Sequence, residues 1–164
     1  LEAQLKAVNR TETPWVIVAG HRPMYSADIT SGCGNLQKDL DGLFNKYGVD
    51  VHLAGHMHST EVSSPVSNYK AVDMDRVTVD VANGTTAIAM KNVTAPVHVV
   101  VGTLGAIQVE SFMKPTPEWS LFRNGTLFDD AYGFATLDAS KTALAFKFLK
   151  QRDNSTLWSL TMQK

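Results

Sequence analysis

Two segments of the chain end alike. Val18-Ala19-Gly20-His21 and Leu53-Ala54-Gly55-His56 each close an apolar run with a small-residue pair followed by a histidine. The run Trp15 to Gly20, after Pro14, reads as a strand buried on both faces, and Val49 to Ala54 reads as a second strand. Between them, Leu36, Leu40, Leu43, Phe44 and Tyr47 fall on one face of a helix. Asn35 is placed to cap that helix, and Gly48 to end it in the left-handed conformation. Strand, helix, strand is an α/β unit, and in open α/β sheets ligands bind beyond the carboxyl ends of the strands. Two imidazoles are therefore expected on one rim. His58, two residues past His56, returns to the same side.

Beyond residue 60 the pattern turns to β. Runs at Val77 to Ala82, Ala87 to Met90, Val97 to Gly102, Tyr132 to Leu137, Ala143 to Leu149 and Leu157 to Met162 are separated by turn formers such as Asn83-Gly84 and Gln151-Arg152-Asp153-Asn154. The last two runs predict a terminal hairpin in which Leu144, Phe146 and Phe148 face one way and Trp158, Leu160 and Met162 share a face. Residues 111–131 read as loop with one short helix. The expectation is an α/β fold with a mixed sheet in one domain: residues 1–62 form a βαβ segment that carries the histidines, and residues 63–164 form a mostly β segment.

Three histidines at strand ends suit zinc or iron, because imidazole donates a neutral nitrogen and brings no charge that must be buried. His52 and His98 alternate with apolar neighbours and read as core residues, as do Trp15, Trp119 and Trp158. Asp28, Asp50, Asp73 and Asp75 read as solvent or loop residues. With 15 basic and 16 acidic residues and no basic run, no nucleic-acid partner is expected. The longest apolar runs are strand-sized, so no membrane span is expected.

Five of the eight asparagines, Asn9, Asn83, Asn92, Asn124 and Asn154, head an Asn-X-Ser/Thr triplet, whereas 26 Ser and Thr in 164 residues give about one by chance. The excess points to a glycoprotein of the secretory pathway. Cys33 is then a lone thiol in an oxidising compartment. Leu1, Leu5 and Val8 already follow helical spacing with no cap before them, so an upstream part is expected, supplying a signal peptide and a disulfide partner for Cys33.

Gly20-His21-Arg22-Pro23-Met24-Tyr25 and Gly55-His56-Met57-His58 resemble the last two metal-binding blocks of the purple acid phosphatases, a branch of the calcineurin-like metallophosphoesterases. Ala95 to Gly102 and Tyr132-Gly133-Phe134 resemble that family's C-terminal segments in the same order. The resemblance implies the C-terminal half of a four-layer α/β/β/α domain that hydrolyses phosphate monoesters with Fe(III) and a divalent metal (zinc, manganese or ferrous iron). His21 and His56 would ligate the divalent ion and His58 the ferric ion, while the remaining ligands come from an N-terminal half. From its own place in the turn before Pro23, Arg22 is positioned either to contact a substrate phosphate or to pair with a carboxylate, and Tyr25 to line the substrate pocket. The setting implied is secreted, lysosomal or vacuolar. The chain departs from the family in having no histidine between 21 and 52 and in reading Ser59-Thr60-Glu61-Val62 after the second block, where Glu61 takes a supporting role. A related phosphodiesterase and an inactive binding glycoprotein of the same fold are the alternatives.

Overall fold

The computed structural model describes residues 1–29, 34–108, 111–126 and 132–164; Cys33 lies outside them. The elements are α1 (Glu2–Lys6), β1 (Ile17–Gly20), α2 (Gly34–Lys46), β2 (Val51–Ala54), β3 (Thr60–Ser67), β4 (Lys70–Ala71), β5 (Val77–Ala82), β6 (Thr85–Lys91), β7 (Val97–Val101), β8 (Ser120–Asn124), β9 (Gly133–Ala139), β10 (Ala143–Lys150) and β11 (Thr156–Gln163). They form two mixed sheets, an α/β-type fold. The first runs β1-β2-β7-β3-β4, with β8 also paired to β3, and the second runs β5-β6-β11-β10-β9. In the first, β2 pairs in parallel with β1 and β7. The boundary expected at residue 62 falls inside β3, and β7 and β8 join the sheet begun by β1 and β2.

The period-2 alternation of the strands builds the layers. Val51, Val62, Val97 and Val99 of the first sheet meet Ile88, Met90, Leu144, Phe146, Phe148, Trp158, Leu160 and Met162 of the second in one dry core. The terminal hairpin pairs Phe148 with Trp158, Phe146 with Leu160 and Leu144 with Met162, as its alternation predicts. Full burial of side chains of this size contributes roughly 1.5–3 kcal/mol each. Trp158 is fully buried, and its indole N–H donates across the sheets to the Thr60 hydroxyl at 2.8 Å, so the wide ring buries no orphaned donor. On the opposite face of the first sheet, Phe44 of α2 packs with Met24, Tyr25, Val16 and Val49. The described residues thus form three layers, helix over sheet over sheet.

Several local readings are corrected. β1 is the sheet's edge strand, with Ile17 and Val18 half-buried and Ala19 and Gly20 exposed, rather than a strand covered on both faces. α2 begins at Gly34, so Asn35 stands in its first turn and not at its cap, while Gly48 does adopt φ 60° just past the end. Residues 120–124, read as loop, form β8. Ser63-Ser64-Pro65 hides β3 from a sequence pattern because the strand is bulged there. At the bulge the Ser63 hydroxyl replaces a ladder acceptor and takes the His98 N–H at 2.7 Å.

The end of β7 lies against the turn between β2 and β3 more closely than any side chain permits. A Cβ at Gly102 would sit 1.7 Å from the Met57 carbonyl oxygen, and one at Gly125, after β8, 2.6 Å from the Ser59 Cα. Both obstacles are backbone atoms, which cannot rotate away. Gly102→Ala is therefore expected to lower unfolding free energy by about 3 kcal/mol, the upper part of the overpacking range. Gly42→Ala, on the exposed face of α2 with open space around it, should raise it by about 0.5–1 kcal/mol through helix propensity. Chemical denaturation of the two variants checks the contrast.

Candidate metal centre

Parallel pairing brings the ends of β1 and β2 side by side, Gly20 opposite Ala54, and the Gly55 N–H donates to the His21 carbonyl at 3.1 Å. The chain then turns sharply at His56, whose φ of 62° is a left-handed conformation uncommon for a residue with a Cβ. Strained backbone of this kind clusters at functional sites. The turn places His56 Nδ1 3.0 Å from His21 Nε2, with ring centroids 4.9 Å apart and an interplanar angle of 71°. Partial burial, together with the nearby charges of Arg22, His21 and His58, holds His56 below the ordinary imidazole value. The His58 Nδ1 lies 2.8 Å from the Ile107 carbonyl oxygen. Because a carbonyl only accepts, Nδ1 carries the proton there and the lone pair of His58 is on Nε2.

These nitrogens fit a metal. With metal–imidazole distances of about 2.0–2.1 Å, a 3.0 Å nitrogen separation subtends roughly 90–100° at a shared ion, the angle of neighbouring ligands. Among the described residues no three His, Cys, Asp or Glu side chains form a ligand group, so the fit extends to a pair of donors. Arg22 is exposed, and its charge acts on His56.

Tyr25, expected in the pocket, is a core residue. It is 1% exposed, its hydroxyl donates to Asp41 at 2.8 Å, and its ring packs edge-on against Trp119 and His98. Burial is the main reason its pKa is pushed well above the usual phenol range. The carboxylates read as solvent or loop residues also take fixed places. Asp28 is fully buried and accepts the Ser111 N–H at 2.7 Å. Asp50 joins Arg10, Lys164 and the Val16 N–H. Asp73 accepts from the N–H and hydroxyl of Thr94. Asp28, Asp50 and Asp73 are thus each fixed by partners distant in sequence, which nothing in composition signals.

His52 and His98 are buried within the first sheet, as their alternation implies. They are register partners on β2 and β7, 4% and 2% exposed, with Nδ1 atoms 3.4 Å apart and His52 packed on Phe44. Their mutual pairing was not legible, because it depends on the register between strands more than 40 residues apart.

Residues 2–60 match the calcineurin-like phosphoesterase family, and residues 95–157 match the family described as iron/zinc purple acid phosphatase-like protein C. An acid phosphatase of Aspergillus ficuum is 34% identical over 166 residues, which cover 100% of this chain and 26% of that protein. The Fe(3+)-Zn(2+) purple acid phosphatase 12 of Arabidopsis thaliana is 31% identical over 162 residues, 96% of this chain and 32% of the relative. The purple acid phosphatase from yellow lupin seeds superposes with a TM-score of 0.77 at 26% identity, over 99% of this chain and 27% of that one. The two-sheet α/β-type scaffold is the one shared with the lupin purple acid phosphatase, and the chain belongs to the purple acid phosphatase family. It spans about a quarter to a third of the length of the relatives described here.

The buried imidazoles make stability depend on pH. Burial lowers His52 from 6.5 to about 4, and burial together with the neighbouring His52 lowers His98 well below the ordinary imidazole value. The unfolded chain takes up protons near pH 6.5 while the folded chain does not, so this stability is complete above 6.5 and is lost as pH falls toward 4. The His52 contribution is on the order of 3 kcal/mol. Urea denaturation at pH 7.5 and 4.5 should show the drop, and His52→Gln should flatten it.

Proposed function

We propose that this chain supplies the histidine side of a two-metal phosphomonoesterase site, with His21 and His56 holding a divalent ion and His58 a ferric ion. The observation that carries the reading is the 3.0 Å approach of His56 Nδ1 to His21 Nε2 at the ends of adjacent parallel strands. Bound there, the metals would polarise phosphoryl oxygens and activate a water for in-line attack. The chain's own residues hold and orient. The Ile107 carbonyl leaves His58 Nε2 available, and the left-handed turn at His56 aims Nδ1 at the rim. Arg22, exposed beside them, offers a planar fork to a phosphate oxygen. Carboxylates from an N-terminal part complete the ligand set. An apolar cleft of about 380 Å³, lined by Ala19, Leu53, Gly55, Leu137 and Phe146 beside the open edge of β1, supports docking of such a part. The name of the Arabidopsis relative, with its iron and zinc, supports the metal pair.

The isolated chain is expected to hydrolyse p-nitrophenyl phosphate negligibly, since three neutral imidazoles cannot compensate two cations. In the full-length protein, His56→Ala should lower kcat by more than about 100-fold, beyond the usual cost of losing a group that merely supports a ligand, and reduce bound metal in elemental analysis. His52→Ala should act through stability. Robust turnover by the isolated chain, or full metal occupancy in His56→Ala, overturns the assignment.

We also propose that the protein is a glycoprotein that is secreted or held in a lysosome or vacuole. Asn9, Asn83, Asn92 and Asn154 are exposed, and the last three occupy left-handed turn positions. Asn124 is half-buried, with its Oδ1 enclosed. From a eukaryotic secretory host, enzymatic deglycosylation should lower the mass, with Asn154 modified and Asn124 modified least. An unchanged mass refutes the assignment.

A further inference from the structure

Glu61 is a carboxylate 3% exposed, at the start of β3 and three residues past His58. Burial is the main force raising its pKa, and a carboxylate in such a place destabilises a fold unless its lone pairs are taken up. They are. Oε1 accepts the Ser26 hydroxyl at 2.7 Å and the Ser59 hydroxyl at 2.8 Å, and Oε2 accepts the Ala27 N–H at 2.7 Å. Ser59 directly follows His58, whereas Ser26 and Ala27 lie on the segment that runs on from His21. The two histidine-bearing segments come from different strands, and this side chain bridges both. Ser26 Oγ also accepts the Asp28 N–H at 3.2 Å, extending the bridge to the pairing of Asp28 with Phe112.

We infer that Glu61 is a positioning residue that sets the spacing between His21 and the His56–His58 turn by clamping Ser26 and Ala27 to Ser59. The inference rests on the metal-site reading for its purpose, but not for its geometry. Three hydrogen bonds to one buried carboxylate hold more firmly than neutral bonds would, because a charged acceptor roughly doubles the strength of each. The clamp also places an acidic group beneath the rim without exposing it to whatever the rim binds. A glutamine can keep one hydrogen bond to each of the three partners. Its oxygen takes the Ala27 N–H and its amide donates to the two serine hydroxyls, which accept as readily as they donate. An alanine can satisfy none of them.

The experiment compares Glu61→Gln and Glu61→Ala in the 164-residue chain by NMR. The readouts are the contact between the His21 and His56 rings, core resonances of Trp158 and Met162, and Zn(II) affinity by calorimetry. Expected are an intact ring contact in Glu61→Gln, loss of the contact in Glu61→Ala with the core signals unchanged, and Zn(II) binding weakened about 10- to 100-fold in the alanine variant only. A ring contact that survives Glu61→Ala overturns the clamp. If Glu61→Ala does not fold, the double variant Ser26→Ala/Ser59→Ala removes two of the three bonds and takes its place: loss of the ring contact supports the clamp and its retention overturns it. A wild-type chain that shows the ring contact, loses it in the alanine variant and binds no Zn(II) leaves the clamp standing and removes the metal reading.

Discussion

A parallel pair of strands must end side by side, because both run in the same direction from hydrogen bonds in one register. In this chain β2 lies between β1 and β7, parallel to each, so the segments leaving all three strands open onto a common rim. The crossover that permits it is α2, whose apolar face covers the sheet on one side while the second sheet covers the other. His21 follows β1 directly and His56 follows β2 after Gly55, so both reach that rim. The contact at 3.0 Å is then a local adjustment, made by the left-handed turn at His56.

The rim is held from beneath by polar groups and from the side by backbone. Glycine at 102 lets the end of β7 press on the Met57 carbonyl, and Gly125 lets the chain after β8 lie on Ser59. Glu61, Asp28 and Asp41 are buried or nearly so, and each accepts hydrogen bonds from the segments they join. Such a layer stabilises little by its net hydrogen bonding, since each bond replaces one to water. Its effect is specificity: a segment displaced by one residue would leave buried donors and charges unpaired. The His52–His98 pair is buried as well but is neutral, and its stabilising effect is therefore tied to pH.

The outer edges of the two sheets carry a different message. β1 is exposed at Ala19 and Gly20, and Leu137 of β9 is 42% exposed although its register partner Phe146 is buried in the core. Apolar surface on the inner face of a sandwich, open at one edge and beside the histidine rim, accords with relatives three to four times longer than this chain.

Periodicity along the sequence was enough for the crossover helix, the terminal hairpin and most of the strands, because each buries one face and the spacing of apolar residues follows directly from that. The doubled Ala-Gly-His ending was enough to bring His21 and His56 together, since parallel strands converge whatever their neighbours do. β3 and β8 were not legible: one is bulged at Ser63-Ser64-Pro65 and the other is five residues long. Neither shows a clean alternation. The burial of Tyr25, the edge position of β1, the pairing of His52 with His98 and the bridge made by Glu61 were decided only by the tertiary structure. Each depends on which residues from distant parts of the chain arrive at the same place, and a hydrogen bond between Glu61 and Ser26 leaves no periodic trace in either segment.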